Sequence, residues 1–454
     1  MRLRFGTDGV RGTANLDLSP EAVLALGRAT ARVLQPERIL IGRDTRQSGP
    51  LLQAAFSAGL SAEGVEVTDL GVIPTPGVAY LSAARGVPGA VVSASHNPFT
   101  DNGIKLFQRG GRKLEPEVEQ RIEQRLEELR QAGTSAGTPS LPGPANGQPP
   151  ATGSLHVDHA AAAEYRAHLV GCLEGRRLDP LHVVVDCAHG AATGFAPTVL
   201  AELGAQVDAI GDHPDGTNIN AGYGSTDLRA LRAAVIEHGA DLGLAFDGDA
   251  DRVLAVDHTG ADVDGDQLLA LLAFDLAGRD QLPGQAVVVT VMSNLGLRQA
   301  LARGGLDVVE TPVGDRHVLD VLERKGLALG GEQSGHIILR RLATTGDGLL
   351  TGLMVLDLLV RQGRTLAEAA GEVMTRFPQV LRSVAVADPA RLEGADAVWA
   401  EVAEVRAALG EEGRVVVRRS GTEPVVRVMV EATTGSEAGS AADRLCEAIV
   451  HHLG

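Results

Sequence analysis

The sequence has few cysteines and no excess of positive charge, and each shortage excludes a class of protein. Its three cysteines, Cys172, Cys187 and Cys446, stand far apart without a CxxC pair, so neither a disulfide framework nor a zinc site is predicted. Lysine and arginine number 41 against 58 aspartates and glutamates, a formal net charge of −17. This charge argues against nucleic-acid binding. Anions must therefore bind in local pockets of arginine, lysine and backbone N–H groups.

Long apolar segments are also missing. No stretch reaches the ~18 apolar residues of a membrane-spanning helix. The nearest, residues 349–360, contains Gly352 and Asp357. The first 16 residues are polar and glycine-rich and lack the apolar region of a signal peptide. We therefore expect a cytoplasmic protein that binds no membrane.

One pattern occurs three times in the first 340 residues: an apolar run, a helical stretch, a second apolar run and later a third. The third runs are residues 89–92, 242–246 and 327–329. Short apolar runs that alternate with helical patterns of ~10–15 residues indicate βαβ units. The pattern predicts three similar α/β domains with mixed, mostly parallel sheets.

The pattern changes after about residue 377. Two β-branched runs, residues 415–417 and 425–430, precede a helical pattern at residues 438–451 and predict a smaller α+β domain. Residues 133–154 are rich in Gly, Pro, Ser and Thr and predict a flexible surface segment. The predicted domains are residues 1–155, 156–255, 256–372 and 373–454.

A polar loop follows the third apolar run of each copy. The loops are SASHNP at residues 93–98, DGDADR at residues 247–252 and GEQSGH at residues 331–336. In open α/β sheets, ligands bind beyond the carboxyl ends of the strands. Three polar loops at equivalent positions therefore predict one shared cleft.

The second loop has the composition of a metal site. Asp247, Asp249 and Asp251 are three carboxylates within five residues, a pattern that suits a hard cation. An EF-hand is excluded because its sixth and twelfth positions, counted from Asp247, hold Arg252 and His258. Three protein ligands leave coordination positions open for a substrate oxygen, which favours one Mg²⁺ per chain. Arg252 is predicted to bind phosphate beside the metal.

Ser95 is the candidate nucleophile. A serine hydroxyl requires activation by a base or a metal, and the acidic loop would supply the metal. No GxSxG sequence surrounds Ser95, which argues against an α/β-hydrolase. Neither a Walker A sequence nor a convincing Rossmann fingerprint is present, which argues against a nucleotide-driven kinase or a dehydrogenase.

Two further segments have the composition of phosphate sites. Residues 6–12 (GTDGVRG) and residues 419–422 (RSGT) combine hydroxyl, guanidinium and glycine backbone groups, and Arg427 follows the second. Each segment taken alone is equally consistent with a surface turn.

Five segments together, FGTDGVRG, SASHNP, DGDADR, GEQSGH and RRSGTEP, resemble the α-D-phosphohexomutase superfamily, in order and over essentially the whole chain. The resemblance implies four domains around a deep cleft, the last one mobile. It also implies a magnesium-dependent isomerase that moves a phosphoryl group on a hexose phosphate through a phosphoserine and a sugar 1,6-bisphosphate. Gln333 and residues 313–316 (VGDR) are most similar to the branch that interconverts glucosamine 6-phosphate and glucosamine 1-phosphate towards UDP-N-acetylglucosamine. The sequence leaves open whether the protein forms a homodimer.

The resemblance also implies residue roles. Ser95 would be the phosphoserine, and its phosphate would bind magnesium together with the three aspartates of the acidic loop. Arg11 and Lys105 would flank it. The groups that would contact the sugar or the non-reacting phosphate are Glu332, Ser334, Arg419, Ser420, Gly421 and Thr422. Lys105, His96 and His336 are the candidate acids and bases, and the sequence does not rank them.

Three alternatives and one irregularity stay open. The same chemistry on glucose or mannose phosphates, a metal-dependent sugar phosphatase and a non-catalytic sugar-phosphate sensor would each use some of these residues. The acidic loop carries Ala250 where glycine is common, and a positive φ at that residue would disfavour alanine.

Overall fold

The computed structural model describes residues 3–6, 8–134, 152–420 and 424–454, and these form four sheets with their helices. The first domain contains β1 (Phe5–Gly6), β2 (Gly9–Thr13), α1 (Pro20–Leu34), β3 (Arg38–Arg43), α2 (Gly49–Ser61), β4 (Glu66–Val72), α3 (Thr75–Arg85), β5 (Gly89–Val92), β6 (Asp101–Phe107), α4 (Pro116–Thr134) and β7 (Leu155–Val157). The strand order is β1-β2-β6-β5-β3-β4-β7. Strands β5, β3, β4 and β7 run parallel, and β1, β2 and β6 pair antiparallel.

The second and third domains repeat this plan with fewer strands. The second contains α5 (Ala161–Gly171), β8 (His182–Asp186), α6 (Ala196–Glu202), β9 (Gln206–Ile210), α7 (Arg229–His238), β10 (Leu242–Phe246), β11 (Val253–Asp257) and β12 (Asp262–Val263). The third contains α8 (Gly265–Gly278), β13 (Ala286–Thr290), α9 (Leu295–Arg303), β14 (Asp307–Thr311), α10 (Asp315–Lys325), β15 (Leu329–Gly331), β16 (Ile337–Leu339), α11 (Gly348–Gln362) and α12 (Leu366–Val373). Their strand orders are β12-β11-β10-β8-β9 and β14-β13-β15-β16.

The fourth domain is a three-stranded antiparallel sheet covered by two helices. It contains β17 (Gln379–Ala385), α13 (Asp396–Leu409), β18 (Arg414–Arg419), β19 (Val425–Glu431) and α14 (Gly435–Leu453). The strand order is β17-β19-β18. The three α/β domains with mixed sheets and the smaller C-terminal domain confirm the predicted fold class.

An antiparallel strand returns beside the third predicted strand of each α/β domain. Strand β6 returns along β5, β11 along β10 and β16 along β15. The three polar loops found in the sequence are the ends of these three hairpins. Both ends of each loop are therefore fixed by backbone hydrogen bonds, which keeps its polar side chains in place.

The strands are apolar on both faces because helices cover both faces. In β3, Ile39 and Ile41 contact the cluster of α1, α2 and α4, whereas Leu40 contacts a second cluster on the other face. This second cluster is continuous from α3 through the second domain to α8 and α11. The fourth domain has a separate core. The first three domains thus share buried surface, while the fourth packs around its own centre.

The apolar segment at residues 349–360 forms most of α11, which lies buried in the shared core. Among the described residues, no helix is both long and apolar enough to cross a bilayer. The predicted flexible segment at residues 133–154 begins in the last turn of α4, and residues 135–151 lie outside the described residues.

Candidate active site

The hairpin loops of the first two domains meet in a buried contact. The Ser95 hydroxyl donates to Asp247 Oδ2 at 2.5 Å, and the side chains of Ser95, Asp247 and Asp249 are fully buried. From the start of α3, Thr75 Oγ1 donates to Asp249 Oδ2 at 2.6 Å. The predicted nucleophile and the predicted metal ligands therefore lie side by side, although 152 residues separate Ser95 from Asp247 along the chain.

A buried arginine shapes the Ser95 loop. Ser95 has a φ of +52°, in the left-handed region that L-residues rarely occupy. The Arg46 guanidinium donates to the carbonyl oxygens of Ser95 and Asn97, at 2.8 and 2.9 Å, and also to those of Pro98 and Asp101. These bonds fix the backbone of the whole turn and stabilise the strained residue.

Asp44 links Arg46 to the serine loop. Its Oδ2 accepts from Arg46 Nε at 2.8 Å and from the Ser93 hydroxyl at 2.7 Å, and Ser93 Oγ in turn accepts from the Ser95 N–H at 2.9 Å. Burial raises the pKa of Asp44, and Arg46 opposes this shift by favouring the carboxylate. Across the domain boundary, the Asn220 amide donates to the Ser95 carbonyl oxygen at 2.9 Å. Both domains therefore hold the nucleophile.

The acidic loop fits a divalent cation. One oxygen from each of Asp247, Asp249 and Asp251 lies within 4.8 Å of the others, and all three residues are buried. Oδ1 of Asp249 and Oδ1 of Asp251 have no hydrogen-bond partner among the described residues. Burial, with repulsion from Asp251 and Asp249, raises the pKa of Asp247 well above its usual range. A hard cation would relieve this repulsion and take the unpaired oxygens as ligands.

Ala250 adopts the left-handed backbone conformation within this loop. Its φ is +58°, and its carbonyl oxygen accepts from the Gly348 N–H at 3.0 Å. The positive φ considered in the sequence analysis is therefore present, and the three aspartates still converge. The hydrogen bond from Gly348, the first residue of α11, holds this strained residue in place.

Lys105 projects from β6 into the same cluster. Its Nζ lies 2.8 Å from Asp249 Oδ2, 3.3 Å from Asp251 Oδ2 and 3.3 Å from Asp8 Oδ2, and its side chain is 1% exposed. Burial opposes the charge on Lys105, but the three carboxylates outweigh it and raise the lysine pKa well above its usual value. Lys105 is therefore held as an ammonium group.

His96 and Arg11 also contact the Ser95 loop. His96 Nδ1 is 3.3 Å from Ser95 Oγ. Burial, reinforced by the charges of Arg252 and Arg11, lowers the pKa of His96 to about 4, so the ring is neutral at neutral pH. Arg11 forms an ion pair with Asp8 and reaches Asn97 Oδ1 at 3.3 Å. Arg252 Nε lies 3.7 Å from Asp251 Oδ1.

The loop of the third domain brings His336 to the metal loop. Its Nδ1 lies 3.6 Å from Asp251 Oδ1, and its Nε2 accepts from the Gly346 N–H at 3.0 Å. Since Nε2 accepts, the proton of the neutral ring is on Nδ1 and faces Asp251. Burial disfavours the imidazolium, but Asp251 and Asp315 outweigh it and raise the His336 pKa.

The predicted sugar-binding residues lie beside His336. Glu332 Oε1 accepts from the Gly314 N–H at 3.0 Å, and the Ser334 hydroxyl donates to Glu332 Oε2 at 3.4 Å. The side-chain amide of Gln333, the residue that suggested the glucosamine branch, donates to Asp264 Oδ2 at 3.4 Å. The side chain of Gln333 is thus bonded to the start of α8.

The predicted phosphate segment of the fourth domain is described in part. Gly421 and Thr422 lie outside the described residues, and the Ser420 N–H donates to the Val425 carbonyl oxygen at 2.9 Å. Arg418 lies directly opposite Arg427 in the sheet, and both line a pocket of about 150 Å³ that includes Met292 of the third domain.

Arg419, which the sequence analysis predicted as a phosphate ligand, lies on the opposite face of the sheet from this pocket. It is opposite Val426, which is buried in the domain core, and it pairs with Glu393 at 3.3 Å. Because successive side chains of a strand point to opposite faces, Arg418 and Arg427 share one face and Arg419 lies on the other.

Three residues of the site, Asp8, Asp315 and Arg418, lie within segments quoted from the sequence but had no predicted role of their own. Asp44, Arg46, Thr75 and Lys113 were not predicted. A signal was present for Asp44 and Arg46, because the GRDTR segment follows the first strand of the first domain as a polar loop. For Lys113 the sequence holds no such signal, since Asp8 and Asp315, with which it pairs, lie far from it along the chain.

Comparison with known proteins places these features in context. Models described as phosphoglucomutase/phosphomannomutase alpha/beta/alpha domains I, II and III match residues 2–133, 163–260 and 264–377, and the C-terminal domain model matches residues 381–448. Proteins named phosphoglucosamine mutase from Thermobifida fusca and Streptomyces coelicolor are 51% and 50% identical. Each alignment covers 99% of this chain, with 98% and 99% of the relatives.

Solved structures show the same fold. A phosphoglucomutase/phosphomannomutase family protein from Burkholderia thailandensis matches with a TM-score of 0.80 at 25% identity, over 98% of this chain and 97% of the other. The N-acetylphosphoglucosamine mutase of Aspergillus fumigatus, solved with GlcNAc-6P and magnesium, matches with a TM-score of 0.71 at 20% identity, over 100% and 96% of the two chains.

Proposed function

The chain belongs to the phosphoglucomutase/phosphomannomutase family, and we propose that it interconverts glucosamine 6-phosphate and glucosamine 1-phosphate with Ser95 as phosphate carrier. Full-length relatives at about half identity carry the name phosphoglucosamine mutase. The observation that carries the residue assignment is the 2.5 Å hydrogen bond from Ser95 Oγ to Asp247 in a buried triad of carboxylates. A serine in this position is next to the site where a cation would hold its phosphate.

The transfer is a displacement at phosphorus. A hydroxyl of the bound sugar phosphate attacks phospho-Ser95, the new P–O bond forms, and the bond from phosphorus to Ser95 Oγ breaks. The attacking hydroxyl loses its proton, and Ser95 Oγ gains one. A second transfer in the opposite sense, from the other phosphate of the bisphosphate to Ser95 Oγ, releases the isomer. Most of the catalysis in such reactions is positioning and electrostatic stabilisation.

The acidic loop would hold Mg²⁺ through Asp247, Asp249 and Asp251, together with the Ser95 phosphate. When bound, the ion would neutralise charge on the transferring phosphoryl group. Lys105, held as an ammonium, supplies a further positive charge and a proton donor. His96 is neutral above a pH of about 4, so it can exchange protons with Ser95 Oγ without carrying charge at rest.

A bisphosphate that turns around needs a second anion site. We assign it to Arg418 and Arg427 together with Ser420, while the resemblance adds Gly421 and Thr422, which lie outside the described residues. Burial and the neighbouring Arg427 lower the pKa of Arg418, so a bound phosphate would stabilise both guanidinium groups. The pocket lies between the third and fourth domains, so phosphate binding there would hold the fourth domain against the third.

The test is a mutase assay with Mg²⁺ and a trace of sugar bisphosphate. Glucosamine, glucose and mannose 6-phosphates are compared, and both 1-phosphate and inorganic phosphate are followed. We expect isomerisation of the amino sugar without phosphate release, and its loss in Ser95→Ala. The control is Ser57→Ala, which changes a buried serine of α2 outside the site.

Each contrary outcome has one meaning. A preference for glucose or mannose phosphate keeps the mechanism and overturns the substrate. Steady phosphate release without isomer replaces the mutase with a phosphatase. Near-normal turnover in Ser95→Ala overturns the phosphoserine mechanism itself.

A further inference from the structure

Acidic and basic side chains alternate around a closed ring at the base of the cleft. In order, the acid–base ring consists of Lys105, Asp8, Lys113, Asp315, His336 and Asp251. The exposed fraction of these side chains is 23% for Asp8 and less for the others. Charges this well buried destabilise a protein unless each one is paired.

Lys113 closes the first half of the acid–base ring. Its Nζ lies 2.7 Å from Asp8 Oδ1 and 2.6 Å from Asp315 Oδ2. Asp8 Oδ2 in turn lies 3.3 Å from Lys105 Nζ. One ammonium group therefore joins the N-terminal loop of the first domain to the start of α10 in the third domain.

The second half of the acid–base ring leads back to the metal loop. Asp315 Oδ2 lies 3.6 Å from His336 Nε2, and His336 Nδ1 lies 3.6 Å from Asp251 Oδ1. Asp251 Oδ2 lies 3.3 Å from Lys105 Nζ, which completes the circuit. Lys105 and His336, two of the candidate acids and bases, thus face Asp251 directly and are linked to Lys113 through Asp8 and Asp315.

The backbone around Lys113 presents it to the third domain. Lys113 pairs with Phe107 at the end of β6, and the intervening turn is closed by the bond from the Gln108 N–H to the Arg112 carbonyl oxygen at 2.8 Å. The Thr344 hydroxyl of the third domain donates to the Gly111 carbonyl oxygen at 2.8 Å. Lys113 therefore projects from a fixed hairpin that extends the strand carrying Lys105.

We propose that Lys113 is a positioning residue of the mutase reaction, which holds Lys105 and His336 in place by binding Asp8 and Asp315 together. Without the Lys113 charge, Asp8 and Asp315 repel each other. Asp8 then bonds more strongly to Lys105, and the Asp315 charge, no longer neutralised by Lys113, acts on His336 Nε2 at 3.6 Å. Both groups would then leave the positions in which they face Asp251. The inference rests on the proposed function.

The first test is the steady-state kinetics of Lys113→Met in the full chain. Misplacement of a catalytic group by about 1 Å costs up to ~100-fold in rate, so we expect kcat to fall by about 10- to 100-fold with KM little changed. Lys113→Arg keeps a cation that can bind two carboxylates, and it should recover most of the loss. A kcat of Lys113→Met within twofold of wild type would overturn the proposal.

The matched control is Arg112→Met. Arg112 precedes Lys113 in the same hairpin and also bridges the first and third domains, through Glu323 at 2.7 Å, but it lies outside the acid–base ring. We expect near-normal kcat in this variant. An equal loss in Arg112→Met and Lys113→Met would mean that the hairpin only docks the domains, and the positioning role would fail.

A double-mutant cycle with Asp315→Asn keeps the test valid if Lys113→Met folds poorly. The double variant leaves fewer unpaired charges, so we expect its kcat to be no lower than that of Lys113→Met. Multiplied losses would contradict coupling through Asp315. Wild-type protein without mutase activity on any of the three sugars would overturn the proposed function instead, whatever the variants do.

Discussion

Two strained residues mark the site at the scale of single side chains. Ser95 and Ala250 both have positive φ, and each is fully buried. A left-handed conformation costs an L-residue about 1–2 kcal/mol, so neighbouring contacts must hold it. Arg46 supplies them for Ser95, and the Gly348 N–H does so for Ala250. Strain at these two positions brings the nucleophile and the metal loop together.

Ala250 allows a direct test of this strain. Ala250→Gly relieves about 1 kcal/mol of strain, but it also removes a buried methyl group and makes the unfolded chain more flexible. Because these effects oppose each other, the thermal midpoint should stay within about 2 °C of wild type. In Ala250→Val, a β-branched side chain at positive φ in a filled space should lower the midpoint and weaken activation by Mg²⁺. Thermal unfolding and Mg²⁺ titration of activity measure both. Tolerance of valine would contradict the strained geometry.

At the scale of elements, strand alternation decides which arginine faces the pocket between the third and fourth domains. Arg418 opposes Arg427 on the pocket face of the fourth sheet, while Arg419 opposes the buried Val426 and pairs with Glu393. The sequence prediction named Arg419 because it directly precedes the Ser-Gly-Thr turn. The sequence alone does not show on which residue β18 begins its alternation, so the two arginines could not be told apart.

We therefore expect substitutions of Arg418 and Arg419 to change KM by different amounts. A hydrogen bond to a charged group contributes about 1.5–3 kcal/mol, so Arg418→Met should raise the KM for the sugar phosphate by about 10- to 100-fold. Arg419→Met removes only an exposed ion pair and should change KM by less than about twofold. Steady-state kinetics on both variants is the measurement. The reverse order of effects would show that the strand face has been assigned incorrectly.

The parallel strands could be predicted more accurately than the antiparallel ones. Residues 89–92 and 242–246 form strands with the predicted bounds, because helices on both faces require continuous apolar runs. Strand β6 was not predicted, because it begins with Asp101 and Asn102 and carries Lys105, which interrupt an apolar pattern. The buried Lys105 of this strand is paired with residues of other loops and domains, such as Asp249. Such partners are set by tertiary structure, which a local pattern does not contain.

At the scale of the whole molecule, the fourth domain is attached differently from the others. The first three share one apolar core, whereas the fourth joins the third through polar contacts. The Asn294 amide donates to the Phe377 carbonyl oxygen at 2.9 Å, and its oxygen accepts from the Phe377 N–H at 3.0 Å. Arg414 reaches the Ser293 and Val291 carbonyl oxygens at 2.8 Å. Polar contacts of this kind can exchange with water, so they would allow the fourth domain to shift against the third.

Behind this junction lies a buried acid, Asp266. Its Oδ2 accepts from the Asn294 N–H at 2.7 Å, so it supports the residue that holds Phe377. Burial, with the charge of nearby Asp264, raises the pKa of Asp266 to about 7. An unfolded aspartate titrates near ~3.9, so the folded chain binds more protons between these two pH values. The stability that Asp266 contributes is therefore present at low pH and is lost as the pH rises towards 7.

Asp266→Asn should remove this pH dependence. Asparagine keeps an oxygen acceptor for the Asn294 N–H, but it never has to carry a buried charge. Near pH 4 the wild-type group is protonated in the folded chain and about half protonated in the unfolded chain, so the two proteins should unfold at similar temperatures. By pH 8 the variant should be the more stable, by at most about 4 kcal/mol. Thermal unfolding at several pH values measures the difference, with Asp388→Asn, an exposed cap of the fourth domain, as the control for loss of an acid. A difference that does not change with pH would mean that Asp266 is charged throughout. The junction would then be held by a permanent carboxylate.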